Sequence, residues 1–180
     1  MGASNGPPPR FEDSVLPSSP KIQGRYYLAI FVLASAVLSY QILVTRFFSV
    51  MLYYHFAFAA ISLAMLGLTR GAMAVYGKPE RYSTERVGEE FARHATWFAI
   101  SGVTAMVVFL CSPLLAPVKY VPVALTLSAL AFVVPFTEGG VCITLLLTRL
   151  PYSGGRLYAA DLLGAAVGCL GVIFVLLVID

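Results

Sequence analysis

Val134-Pro135-Phe136-Thr137-Glu138-Gly139-Gly140 and, further along, Arg156-Leu157-Tyr158-Ala159-Ala160-Asp161-Leu162-Leu163-Gly164-Ala165-Ala166-Val167-Gly168 set two carboxylates among glycines and alanines. Both stretches belong to runs otherwise apolar enough to cross a bilayer. Backbone groups in lipid must find their partners within the chain, so such runs are read as helices. A carboxylate at membrane depth is costly unless it is paired or wetted, which makes Glu138 and Asp161 candidate functional groups.

The rest of the chain agrees. Of its 180 residues, 59% are hydrophobic and 12% are charged, against about 25% charged in an ordinary soluble domain. Mean hydropathy is +0.84. The fold class is therefore all-α, a polytopic transmembrane helix bundle with room for about five spans of roughly 20 residues. The lipid bilayer is its first partner. No basic cluster interleaved with aromatics occurs, so nucleic acid is not expected. Cys111, Cys142 and Cys169 lie in apolar stretches without CxxC spacing or a histidine cluster. They read as small buried hydrophobes, and neither a metal nor a cofactor is expected.

Residues 1–24, rich in proline, serine and glycine, read as a disordered cytoplasmic tail. Spans follow at about 26–45, 53–76, 95–115, 120–148 and 158–178, and a polar loop covers 78–94. Ala34-Ser35-Ala36 has the look of a signal-peptidase site. The apolar run continues well beyond it, which favours a retained signal anchor. Arg46 is expected in the turn before the second span. In the loop, Val87 and Phe91 sit four apart and Arg86 can pair with Glu90, which suggests a short interfacial helix. The fourth span is too long for a straight crossing, so Pro135, Gly139 and Gly140 are expected to kink or break it. Ten basic residues fall on the side of the N-terminus (Arg10, Lys21, Arg25, Arg70, Lys78, Arg81, Arg86, Arg93, Arg149 and Arg156), and only Arg46 and Lys119 on the other. That bias predicts a cytoplasmic N-terminus and an external Asp180.

Small residues recur every fourth position at Gly67 and Gly71, and again at Ala160, Gly164 and Gly168. Such stripes let helix backbones approach closely. They serve static packing, helices that slide, or self-association of the chain into a homo-oligomer. Asp161 sits one turn beyond Arg156, at the depth of Arg70, so an Asp161–Arg70 ion pair or hydrogen bond is expected. A substrate-contacting or proton-carrying role for Asp161 is the alternative. Glu138 lies 11 residues from Arg149, roughly 16 Å along a helix and close to the midplane. Beside a proline–glycine break it fits either an ion or substrate site or a protonated acid bonded to a freed carbonyl. Arg46 and His55 are further polar groups on the outer half. No GxGxxG, GxxxxGK[ST] or HExxH motif occurs, so no catalytic residue is assigned.

Five blocks resemble a known family. They are Leu38-Ser39-Tyr40-Gln41-Ile42-Leu43-Val44-Thr45-Arg46-Phe47-Phe48-Ser49-Val50, Tyr54-His55-Phe56-Ala57-Phe58, Ala60-Ile61-Ser62-Leu63-Ala64-Met65-Leu66-Gly67, Val134-Pro135-Phe136 with the following glycines, and Gly155 to Cys169. Together they look like the N-terminal membrane half of bacterial spermidine synthase-like fusion proteins. In that family a soluble aminopropyltransferase-like or methyltransferase-like Rossmann domain follows the membrane helices. No segment of this sequence corresponds to that domain. The resemblance therefore implies a non-catalytic module of the bacterial inner membrane, anchoring or serving an aminopropyltransferase-like partner or further membrane helices. A transporter-type bundle, handling a small cationic solute such as a polyamine through Glu138 and Asp161, is the alternative. An accessory subunit of a larger membrane complex is a third.

Overall fold

Long apolar stretches close their backbone hydrogen bonds internally, and a computed structural model of the chain carries this through. It describes residues 20–52, 57–115, 118–150 and 154–179. Among these residues every regular element is helical: α1 (Pro20–Leu52), α2 (Ala57–Gly77), α3 (Val87–Leu115), α4 (Val121–Ala129), α5 (Val133–Arg149) and α6 (Gly154–Ile179), with 3₁₀ turns at Thr84–Arg86, Val118–Tyr120 and Leu130–Phe132. Five stretches are long and apolar enough to cross a membrane: Gly24–Val50, Ala57–Gly77, Val87–Ser112, Val123–Arg149 and Gly154–Val178. α4 and α5 share the fourth. The chain is a multi-pass, all-α membrane protein.

Several boundaries differ from the sequence-based expectation. Helix α1 takes in Pro20–Gly24 from the expected tail, with proline at the first helical position, where its missing N–H costs nothing. Arg46 lies inside α1, six residues before its end, and not in a turn. The third span begins at Val87 rather than Ala95. Glu89 and Glu90 in its first turn complement the positive end of the helix dipole, so the charged segment starts the helix and does not lie ahead of it. In the fourth span the irregularity is the 3₁₀ turn Leu130–Phe132, just ahead of Pro135. Pro135 has no N–H to give the Ala131 carbonyl four residues back, and the chain tightens there while staying in the right-handed helical region. Gly139 and Gly140 neither kink nor break the span, since both sit inside the regular helix α5.

Helix α5 is the centre of the bundle. It packs on α2 and α3 and touches α1, while α6 packs chiefly on α1. In the most apolar window of the fourth span 56% of residues are buried, against 11% for the span of α6. Small residues make the two closest crossings. Ala60, Ala64, Gly67, Gly71 and Val75 form the buried face of α2. A Cβ on Gly71 would collide with the Thr137 carbonyl, and one on Gly140 with the Leu68 backbone. On the other pair, a Cβ on Gly164 or Gly168 would collide with the backbone of Phe31 or Ser35 of α1, and Ser39 Oγ donates to the Gly168 carbonyl at 3.1 Å. Ala160 lies part-buried beside a cluster containing Ile30 and Leu157. Where lipid offers no hydrophobic drive, such backbone contact supplies the packing energy.

Aromatic rings lock α3 onto this frame. Phe48 stacks on Phe109 at 4.9 Å between centroids, and Phe132 meets both edge-on. Tyr40 packs on Phe98 and Phe136 and donates its hydroxyl to the Gly102 carbonyl at 2.9 Å. These contacts set the rotation of α3 about its own axis. That rotation decides which of its polar residues face inward.

Candidate functional site

The inward-facing polar residues of α3 are Glu90 and His94, one turn apart, each with a side chain only about a tenth exposed. His94 is seven residues into the helix, about 10 Å from its loop end. From α5, Glu138 reaches across so that its Oε2 stands 2.5 Å from His94 Nδ1. Beyond the ring, His94 Nε2 lies 3.5 Å from Glu90 Oε2 and 3.4 Å from the Tyr82 hydroxyl. Arg93 binds Glu90 directly, and its Nη2 is 3.4 Å from His94 Nε2. Arg81 stands 3.9 Å from Glu90. Tyr82 and Arg81 belong to the Lys78–Arg86 segment, which thereby closes the end of the site. Two backbone bonds onto the Lys78 carbonyl, from Arg81 and Tyr82, fold that segment over.

Bond chemistry assigns the hydrogens. An ionised carboxylate only accepts, so Nδ1–H donates to Glu138. Nε2 then accepts from the Tyr82 hydroxyl or from Arg93, or, if it also carries a hydrogen, donates to Glu90. Burial pushes the Tyr82 phenol above its ordinary pKa, with Arg81 opposing, so near neutrality Tyr82 keeps its hydrogen and donates. The result is a carboxylate–imidazole–carboxylate line from the α5 face to the loop, with two half-exposed guanidiniums at its outer end. Such a line can store a proton or pass one along. It suits no metal, because the two carboxylates grip opposite nitrogens of one ring and share no common centre. Among the described residues no group of three metal-ligating side chains converges. Cys142, one turn beyond Glu138, is a free thiol spent on the Phe91 carbonyl at 3.8 Å.

Other residues singled out by sequence are dispersed. Glu138 meets a histidine rather than a freed carbonyl. The Asp161–Arg70 pair is not made: Arg70 is exposed on α2, which packs on α5, while half-buried Asp161 rides on α6, which packs on α1. Equal depth does not bring two residues to the same side of a bundle. Arg86 likewise leaves Glu90 to Arg93 and Arg81. Arg46 lies with Gln41, Thr45 and Ser49 beside a groove between α1, α2 and α6. His55 is outside the described residues. Gly67, Gly71, Gly164 and Gly168 are all at close crossings.

Sequence reasoning passed over His94 and Glu90 because the charge density of Glu89, Glu90 and Arg93 reads as a solvated loop. A signal was present. Val87, Phe91, His94 and Phe98 share the 3-and-4 spacing of one helix face, and Glu90 and His94 fall on the same face. Comparison with protein families, with curated proteins and with solved structures finds no match to this chain.

Proposed function

We propose that this chain is a non-catalytic membrane module of the kind its sequence resembles, with its N-terminus cytoplasmic in a bacterial inner membrane, holding an aminopropyltransferase-like partner at the bilayer. The observation that carries this reading is where the resembling blocks fall. On α1–α6 the Leu38–Val50 block meets the end of the Gly155–Cys169 block, where Ser39 bonds the Gly168 carbonyl, and Gly164 and Gly168 of the latter sit against the backbone of Phe31 and Ser35. On α2–α5 the Ala60–Gly67 block meets the Val134–Gly140 block at its end, with Gly67 against Phe136. Ser39, Gly67, Phe136, Gly164 and Gly168, all within those blocks, are thus packing residues of a scaffold. The alternative, a carrier of small cations through Glu138 and Asp161, draws less support. Glu138 already has His94, and Asp161 stands on a different helix pair, so the two build no common anionic pocket.

Co-expression tests the reading. The chain should bring a soluble aminopropyltransferase-like domain, encoded beside it, into the membrane fraction, and reconstituted liposomes should take up spermidine no faster than empty ones. Saturable spermidine uptake that disappears in Glu138→Gln would replace the module with the carrier.

A further inference from the structure

At the end of the bundle that holds the His94 site, α1 and α3 approach each other through side chains, Tyr26 lying beside Gly88. Ile30 of α1 and Val87 of α3 share a cluster with Val141 and Leu145 of α5. The gap on the outer side is a furrow. Two clefts, of about 290 and 430 Å³, run into each other there and share Arg25, Ala29 and Phe91. Small residues make the furrow deep: Gly88 and Ala92 beside the upper cleft, Ala36 and Ala95 beside the lower one. Arg25 stands at its mouth, one residue inside the Gly24–Val50 span. Below Arg25 the wall is apolar through Leu28 and Val32, both more than half exposed, down to Ala36, about 16 Å along the helix.

We infer that this furrow binds one anionic glycerophospholipid, its phosphate on Arg25 and one acyl chain laid along Leu28, Val32 and Ala36. The polarity and the length match: a cation at the head, then an uninterrupted apolar track of acyl-chain dimensions, at the depth where a headgroup meets hydrocarbon. Arg25 has no carboxylate partner among the described residues. No acidic side chain lines either cleft, so a choline or ethanolamine cation would find no counter-ion there, whereas a headgroup of net negative charge leaves nothing unpaired. The inference does not depend on the module reading, since it needs only a chain in a bilayer.

The test uses the full chain in detergent with phosphatidylglycerol, phosphatidylcholine of identical acyl chains, or inorganic phosphate. Native mass spectrometry should show one retained phosphatidylglycerol, and thermal unfolding should shift upward with its concentration. Arg25→Gln should weaken phosphatidylglycerol about fivefold, the worth of one basic side chain at an anionic surface. Ala95→Phe, which fills the lower cleft where the acyl chain lies and keeps Arg25, should weaken it as well, and covers the case of an Arg25 variant that does not fold. Three results would overturn the inference: equal binding of phosphatidylcholine, equal stabilisation by inorganic phosphate, or undiminished phosphatidylglycerol binding in either folded variant.

Discussion

Replacing His94 with leucine removes the group that holds Glu138. The Glu138 side chain is 22% exposed and His94 11%, so the stranded carboxylate is rehydrated only in part. Breaking one member out of a buried pair costs about 3–5 kcal/mol, and partial access to water moves the expectation here to about 2–3 kcal/mol. Glu90 adds little to that loss, because Arg93 and Arg81 remain on it. If the cost arises from the stranded charge, removing the charge as well must recover most of it. The double variant His94→Leu/Glu138→Leu should come within about 1 kcal/mol of the parent, as paired replacements by apolar residues do. Reversible unfolding of the reconstituted chain in mixed micelles of rising denaturing-detergent fraction gives all four corners of the cycle. Equal destabilisation of the single and double variants would refute the reasoning, since the loss would then be one of packing volume and not of pairing.

The helix crossings and the loop carry further expectations. Gly140→Val and Gly168→Val each drive a side chain into the backbone of a neighbouring helix and should cost about 2 kcal/mol or more, whereas Gly171→Ala, with open space around it, should be neutral or stabilise by about 0.5 kcal/mol. The same unfolding assay distinguishes them. Exchanging the charges as Arg70→Asp/Asp161→Arg should give no recovery over the single variants, with a coupling below about 0.5 kcal/mol; a clear rescue would restore the ion pair. Tyr82 supplies a pH dependence. Its raised pKa means that the folded state holds the phenolic hydrogen more tightly than the unfolded state. The stability it contributes is full below about pH 10, the free tyrosine value, and falls as pH rises through the folded pKa. Ultraviolet titration of the chain against Tyr82→Phe should show the missing phenolate appearing after those of the exposed tyrosines; appearance together with them would contradict its burial.

Much of the architecture is legible in the residues themselves, because hydrocarbon permits so few backbone solutions. Apolar length alone yields five crossings, and the four-residue spacing of glycines marks helices that come close. What spacing leaves open is the partner. Gly71 announces a tight crossing, but only the assembled bundle shows that it meets Thr137 and Val141. Depth is likewise legible and azimuth is not, which is why Arg70 and Asp161 share a level without sharing a side. Glu138 stands out in the sequence as a charge in the wrong solvent. Its partner does not, because a histidine next to three charged residues looks like a loop until Phe98, Phe109 and the Tyr40 bond fix the rotation of α3.

The bond between Ser39 and Gly168 joins residues 129 apart, and the ribosome delivers them in that order. At about 5–20 residues per second, α1 waits in the bilayer for roughly ten seconds with its Phe31, Ser35 and Ser39 face uncovered before α6 exists. Helices α2 and α5 close earlier, so the centre of the bundle is finished while its first helix still lacks a mate. During that interval the Phe31, Ser35 and Ser39 face of α1 meets lipid in place of α6. A pause in translation before residue 154 would lengthen the exposure without altering a single contact of the finished fold.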